Sequence, residues 1–65
     1  MIDENGHDWK DNEVVCALEL FGDGSAQWEM SCPATAECIE YFATKKDAES
    51  YAKRHKLTIV EWIKE

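Results

Sequence analysis

Residues 14–32, VVCALELFGDGSAQWEMSC, decide the fold, because they contain two alternating patterns on either side of a glycine-rich turn. Every second residue of both halves is apolar: Val14, Cys16, Leu18 and Leu20 before the turn, and Ala26, Trp28, Met30 and Cys32 after it. Alternation of this kind places the apolar side chains on one face of a strand. Its recurrence on both sides of a turn predicts a β-hairpin with one apolar face.

The length of the hairpin loop sets its register, since residues directly opposite each other point to the same side of a sheet. A two-residue turn would set Leu20 against Gln27 and mix apolar with polar side chains. A three-residue loop, Gly-Asp-Gly at 22–24, instead sets Leu20 against Ala26 and closes the apolar face. Loops of this length usually end in a left-handed residue, which Gly24 can adopt without steric cost. We therefore predict the three-residue loop.

The rest of the chain completes an α+β pattern. A third strand is predicted at about residues 38–43. Its two sets of alternating side chains are both partly apolar, so the sequence does not decide which set faces the core. Thr44 is a good helix N-cap, and Asp47 favours the start of a helix dipole. The helix has a stripe at i, i+3, i+4 and i+7: Ala48, Tyr51, Ala52 and His55. A β-branched run at 57–63 predicts the last strand, so we expect a small antiparallel sheet in β-β-β-α-β order, with one helix packed on one face.

A second motif joins the hairpin to the helix start. It consists of Trp28, then a short strand, then Phe42-x-Thr44-Lys45-x-Asp47-Ala48-x-x-Tyr51-Ala52. This pattern, over roughly residues 28–62, resembles the conserved region of the respiratory complex I accessory-subunit family. The resemblance implies a non-catalytic docking subunit. The chain departs from the family at Glu40, where the family prefers an apolar residue, and at Lys56-Leu57, where it tends to have Gly-Trp.

Size and charge restrict the function. At 65 residues the chain has room for a single domain, 1–65, in which 1–12 lack periodicity and form a polar acidic N-terminal arm. Residues 1–42 hold ten carboxylates and one base, a balance of −9, whereas 43–65 hold four carboxylates and six bases, a balance of +2. This asymmetry predicts a basic protein partner and disfavours direct contact with nucleic acid or an anionic membrane.

No targeting or membrane signal is visible in the sequence. The first residues, MIDENGHDWKDNE, are polar and acidic, which is unlike a signal peptide. No apolar run approaches the roughly 20 residues that a membrane-spanning helix needs. The three cysteines are an odd number and do not suit a disulfide framework. We expect a monomer in the reducing cytoplasm.

Residues that could carry chemistry do not form a recognised site. Five side chains could ligate a metal: His7, Cys16, Cys32, Cys38 and His55. Their spacing lacks the C-x2-C or H-x3-H pattern of zinc sites, and Cys16 and Cys32 fall on the apolar hairpin face. The spacing of Asp8, Asp11 and Glu13 is unlike a calcium loop, because the glycine and the later glutamate are missing. We expect no metal, no cofactor and no enzymatic activity.

The positive charge is concentrated in TKKDAESYAKRHK, residues 44–56, which hold five of the seven basic residues. A nucleic-acid-binding patch would need positive surroundings, yet these bases share their helix with Asp47 and Glu49. We interpret the segment as the solvated back of the helix. By elimination, the acidic surface is the one offered to a partner.

The predicted partner-binding residues are the outward side of the hairpin, its turn and the arm: Asp8, Asp11, Glu13, Glu19, Phe21, Asp23 and Glu29. In the predicted register Glu19 and Glu29 are diagonal neighbours, roughly 7–8 Å apart. Phe21 is expected on the same outward side, where an exposed aromatic ring beside carboxylates could anchor a partner.

Two functions of different classes fit these observations. Through size, charge and lack of catalytic residues, the chain resembles small acidic phage anti-defence proteins, including anti-CRISPR inhibitors. That resemblance implies a non-enzymatic inhibitor that mimics DNA charge and blocks a basic, nucleic-acid-binding partner. The alternative is the docking role in an electron-transport complex that the complex I resemblance implies. Acidity that serves only solubility is a third possibility, although −9 within 42 residues exceeds what solubility needs.

Overall fold

The computed structural model describes residues 2, 4 and 6–64. Its elements are β1 (Glu13–Leu20), β2 (Ala26–Cys32), β3 (Glu37–Phe42), α1 (Lys45–Arg54) and β4 (Thr58–Ile63). The predicted α+β class and β-β-β-α-β order are confirmed. Three residues of the predicted arm, namely Met1, Asp3 and Asn5, lie outside the described residues, as does Glu65.

The strands form one four-stranded sheet in the order β3-β2-β1-β4. The pairs β1–β2 and β2–β3 are antiparallel, whereas β4 runs parallel to β1. The sheet is therefore mixed, and the expectation of a purely antiparallel sheet was wrong for its last strand. The reason is the crossover: α1 carries the chain back to the end where β3 began, so β4 runs in the same direction as β3 and β1.

The hairpin has the predicted register. Leu20 pairs with Ala26 and Leu18 with Trp28, around the three-residue loop. The amide of Phe21 donates to the carbonyl of Ser25 at 2.9 Å, which closes the loop. Gly24 has φ +90°, the left-handed conformation that a loop of this length requires at its last residue.

Each edge strand contains one extra residue relative to its neighbour. In β3 the extra residue is Ile39, because Met30 pairs with Glu40 and Ser31 pairs with Cys38. In β4 it is Val60. A bulge of this kind breaks the two-residue alternation, so side chains three positions apart can point to one face.

The core lies between α1 and one face of the sheet, which we call the inner face. Its buried members are Val14, Cys16, Trp28, Met30 and Cys32 from the hairpin, and Ala48 and Ala52 from α1. The small alanines allow the helix axis to approach the sheet closely. From the bulged edge strands, Ile39 and Trp62 also pack on this core. The predicted burial of the apolar hairpin face is therefore confirmed except beside the turn, where Leu20 is 72% exposed, Ala26 is exposed and Leu18 is half-buried.

Both helix ends are capped. The Thr44 hydroxyl accepts a hydrogen bond from the Asp47 amide at 3.2 Å, which confirms the predicted N-cap. After the last turn, Lys56 adopts φ +56° and the Leu57 amide donates to the Ala52 carbonyl at 2.8 Å. This is the Schellman arrangement, in which glycine is the usual left-handed residue. Lys56 thus occupies the one position of the cap where glycine would be favoured.

Candidate functional site

The candidate site is the face of the sheet opposite α1, which we call the outer face. Among the described residues, no helix or strand packs on it. By strand register it comprises Val15, Ala17 and Glu19 of β1, Gln27, Glu29 and Ser31 of β2, Cys38 and Tyr41 of β3, and Glu61 and Ile63 of β4. Alternate residues of the same strands therefore form a buried core on one side and an open surface on the other.

The two signs of charge lie on different elements. The four strands hold no Lys or Arg and six carboxylates: Glu13, Glu19, Glu29, Glu37, Glu40 and Glu61. Of these, Glu37 and Glu40 pair with the inner-face residues Cys32 and Met30, whereas Glu19, Glu29 and Glu61 lie on the outer face. Five of the seven bases lie at 45–56, on α1 and in the turn that follows it. Lys45 also has a packing role, because its ammonium lies 5.1 Å from the ring centre of Trp28 and 5.3 Å from that of Trp62. The base-rich segment is thus the helical back of the molecule.

Glu29 is the centre of the outer face at its hairpin end. Its partners Ala17 on β1 and Tyr41 on β3 place it between two strands, diagonal to Glu19 as the predicted register requires. The Tyr41 hydroxyl donates to the Glu29 carboxylate at 3.1 Å. Hydrogen bonds to its carboxylate, chiefly the one from Cys38, lower the pKa of Glu29. The thiol of Cys38 and the hydroxyl of Tyr41 are neutral donors rather than bases, so Glu29 keeps its negative charge.

The same hydrogen bonds raise the pKa values of the side chains that donate them. Donation to Glu29 raises the pKa of Tyr41 to about 12. The pKa of Cys38 is raised as well, chiefly by its hydrogen bond to Glu29. Both side chains therefore remain protonated near neutrality and hold Glu29 in place, and Cys38 is not an activated thiol.

Two aromatic rings border this carboxylate. Phe21 and Tyr41 lie 6.4 Å apart between ring centres, tilted by 52°. Their exposed fractions are 41% and 40%. The prediction that Phe21 faces outward is confirmed. Together with Glu29, these rings form a surface that is both apolar and negative.

Two predicted site residues are engaged in local structure. Asp23, at the tip of the hairpin, accepts hydrogen bonds from the Ser25 amide at 2.9 Å and the Ser25 hydroxyl at 2.6 Å. These bonds lower the pKa of Asp23. Glu13, at the start of β1, accepts from the Lys10 amide at 2.9 Å and lies 3.5 Å from a ring nitrogen of His7. Both carboxylates help to hold the chain at an end of β1.

The two predicted residues of the arm are exposed. Asp8 forms an isolated antiparallel bridge with Ile2. The Asp11 carbonyl oxygen lies 3.5 Å from the sulfur of Cys32, which donates to it. At the last residue of the arm, the Asn12 carbonyl accepts from the Thr58 amide at 2.8 Å, which ties the arm to β4.

The structure brings the predicted residues together as two groups. Glu13 and Glu19 are six positions apart in β1, a distance of about 20 Å along an extended strand. The hairpin group comprises Glu19, Phe21, Asp23 and Glu29, and the arm group comprises Asp8, Asp11 and Glu13. Between the groups lie the apolar side chains of Val15 and Ala17. The acidic surface is therefore not one continuous row.

Four members of the outer face were missed by sequence reasoning: Cys38, Tyr41, Glu61 and Ile63. They lie on the bulged edge strands, where alternation fails. The only sequence signal is the three-residue spacing of Cys38 and Tyr41, and this spacing has no meaning until the bulge at Ile39 is known.

The described residues contain no pocket, and no group of three or more His, Cys, Asp or Glu that could hold a metal ion. The three cysteines are free thiols, with Cys16 and Cys32 buried and Cys38 exposed. Burial raises the pKa of Cys16 to about 11, which keeps it a protonated core residue. What the outer face can do chemically is bind cations and apolar groups.

No family model, curated protein or solved structure matches the chain. The resemblances to complex I accessory subunits and to phage anti-defence proteins therefore rest on the sequence features given above. In the part of the chain that the structure describes, no helix combines the length and apolar character needed to cross a lipid bilayer.

Proposed function

We propose that the protein is a non-enzymatic binding protein whose acidic outer face occupies a basic, nucleic-acid-binding surface on a partner protein. The observation that carries the proposal is the separation of charge by the sheet. The outer face holds Glu19, Glu29 and Glu61 and no base, while the bases are concentrated on the helical back. A surface with a single sign of charge attracts an oppositely charged partner and selects against others.

The hairpin group is the part of this surface best suited to binding. Glu29 lies on the central strand β2 and is held at 3.1 Å by the Tyr41 hydroxyl of the edge strand β3, so little conformational freedom is lost when a partner's Lys or Arg approaches it. Phe21 and Tyr41 beside it supply exposed aromatic area, which is common at the energetic centres of interfaces. The arm group adds negative charge about 20 Å away and mainly speeds association.

Within this proposal the specific role is inhibition by imitation of DNA charge. The protein acts as a cytoplasmic monomer, takes no cofactor, touches neither nucleic acid nor membrane directly, and excludes nucleic acid from its partner's groove. A phage-encoded anti-CRISPR or related anti-defence inhibitor is the class with this combination of small size, acidity and lack of catalytic groups. Support for that class comes from the charge pattern and from the absence of a pocket among the described residues.

A docking subunit of a larger complex is the second candidate. It is favoured by exposed apolar side chains on the β4 edge, where Val60 is 41% and Ile63 is 39% exposed. The motif shared with the complex I family supports it less, because its residues pack the helix onto the sheet: the Phe42 ring lies 5.2 Å from that of Tyr51, and Lys45 lies over Trp28.

The test is capture followed by competition. The immobilised protein is incubated with bacterial lysate, bound proteins are identified by mass spectrometry, and a double-stranded DNA oligonucleotide is added as competitor. We expect the captured proteins to be nucleic-acid-binding proteins that the oligonucleotide displaces. Capture of membrane or respiratory-complex proteins that DNA does not displace would favour the docking role and contradict the proposal.

A further inference from the structure

An apolar strip lies on the β1–β4 side of the outer face. It consists of Val15 and Ala17 on β1 and of Ile63 on the edge strand β4, which pairs with Ala17. Val15 and Ala17 are half-buried, and Ile63 is 39% exposed. Imitation of DNA charge alone would need no apolar side chains on this surface. The strip therefore indicates that the bound element has an apolar side as well as a basic one.

Carboxylates lie on the two strands that flank Val15 and Ala17 of β1. Glu29 is on β2, paired with Ala17, and Glu61 is on β4, paired with Val15. Two inter-strand spacings separate β2 from β4, a width of about 10 Å. An α-helix with its side chains is about 10–12 Å wide. A helix laid along the strip would thus present basic side chains from its two flanks to Glu29 and Glu61.

We propose that the element bound by the outer face is a basic amphipathic α-helix of the partner protein. This inference rests on the proposed function and adds the kind of element that is recognised. The apolar side of the helix packs on Val15, Ala17 and Ile63, where the small Ala17 side chain permits close approach. Its Lys and Arg residues pair with Glu29 on one flank and Glu61 on the other. Charge complementarity selects this occupant, since the outer face carries Glu19, Glu29 and Glu61 and no base.

Other occupants fit less well. A second copy of this chain would have to offer α1, whose Ala48 and Ala52 are already buried in its own core. The net charge of −7 on each copy also opposes association. An extended peptide would pair with the edge of β3 or β4 and leave the apolar strip uncovered.

The probe is a synthetic peptide of about 18 residues, roughly five helical turns, with Leu and Ala along one side and Lys and Arg on both flanks. The control peptide has the same composition in scrambled order, so its charge is unchanged and its apolar side is lost. Binding to the whole protein is measured by isothermal titration calorimetry, helix content by circular dichroism, and location by amide chemical shifts.

We expect the amphipathic peptide to bind about tenfold or more tightly than the scrambled one, because its apolar side is also buried. It should gain helicity when bound and shift the amides of Val15, Ala17 and Ile63. Ala17→Gln, which adds bulk without charge, should weaken its binding to the level of the scrambled peptide. Ser50→Gln, on the exposed side of α1, is the matched control and should have no effect. Ile63→Gln provides a second test should Ala17→Gln lower the melting temperature.

Equal binding of both peptides, lost in Glu19→Lys with Glu29→Lys, would overturn the helix inference and leave the proposed function standing. Binding that the lysine substitutions do not reduce would contradict both. Lack of binding by either peptide, or shifts confined to α1 or to an edge strand, would also overturn the inference. So would concentration-dependent self-association, measured by light scattering, that shifts the same outer-face amides, because the occupant would then be a second copy.

Discussion

The inner and outer faces of the sheet are built from alternate residues of the same strands, yet they differ in what their side chains do. On the inner face, Met30 is fully buried beneath α1, whereas its neighbour Glu29 faces solvent on the outer face. Apolar burial on the inner face stabilises the fold and places little constraint on the composition of the outer face. In a chain of 65 residues, which has one small core, the inner face and α1 supply the fully buried side chains.

The largest expected effect is a difference in stability between substitutions at two adjacent residues, Met30 and Glu29, which lie on opposite faces. Met30→Ala should destabilise the protein by about 2–5 kcal/mol, because a fully buried side chain is lost and a cavity remains. Glu29→Ala, one position away on the outer face, should change stability by about 0.5 kcal/mol or less. Urea denaturation of both variants checks this pair. Similar losses in the two variants would mean that the outer face also carries the fold.

The second effect concerns binding rather than stability. Glu19→Lys with Glu29→Lys should weaken partner binding by 2 kcal/mol or more, roughly thirtyfold, because two Lys side chains would then meet a basic surface. The melting temperature should be nearly unchanged. The matched control is Lys53→Glu with Arg54→Glu on the helical back, which should leave binding largely intact. Equilibrium binding to the captured partner at two salt concentrations measures both variants, and wild-type affinity should fall as salt rises. The reverse ranking of the two variants would place the binding surface on α1.

The third effect compares two left-handed residues at opposite ends of the fold. Gly24→Val should destabilise the protein by about 1 kcal/mol or more, since a β-branched residue resists φ +90° although the space around it is open. Lys56→Gly should stabilise it by about 0.5–1 kcal/mol, because glycine adopts the left-handed cap without steric cost. Thermal unfolding measures both the expected loss of stability in Gly24→Val and the expected gain in Lys56→Gly. A destabilised Lys56→Gly would show that the Lys56 side chain contributes more than its backbone conformation costs.

The inner face could be predicted from the sequence because its determinants are local. The alternation on both sides of Gly-Asp-Gly admits a single register that closes the apolar face, and Thr44 and Asp47 mark the helix start. These signals depend on neighbours within a few residues, so no knowledge of the sheet order was needed. The diagonal placement of Glu19 and Glu29 followed from the same register.

The parts that could not be predicted depend on the edge strands. The direction of β4 and the bulges at Ile39 and Val60 are set by which strands become neighbours across the sheet. Without knowledge of the bulge at Ile39, the two rows of alternating side chains in the third strand are both partly apolar, and the sequence does not indicate which row is buried. The position of Tyr41 beside Glu29 was hidden for this reason, as was the apolar strip that Ile63 completes.

The smallest effect concerns the hydrogen bond that the Tyr41 hydroxyl donates to Glu29 on the outer face. Donation to Glu29 raises the pKa of Tyr41 to about 12, above the ordinary tyrosine value of about 10. A folded-state pKa above the unfolded one contributes stability that is present below pH about 10 and is lost as pH rises toward about 12. For Glu29 the sign is reversed. Its pKa is lowered, so its contribution is present above the ordinary glutamate range and is lost as pH falls through the lowered value.

The measurement is the ultraviolet absorbance of tyrosinate in a Tyr51→Phe background, where Tyr41 is the only tyrosine. Glu29→Gln should bring the Tyr41 midpoint back toward about 10, because a neutral amide no longer favours the protonated phenol. Glu61→Gln, which removes one charge at the opposite edge of the sheet from Tyr41, should leave the midpoint close to that of the parent. Circular dichroism at each pH separates titration from alkaline unfolding. A parent midpoint near 10 in the folded protein would mean that Tyr41 does not hold Glu29, and the ordered carboxylate on which partner binding depends would have to be sought elsewhere on the outer face.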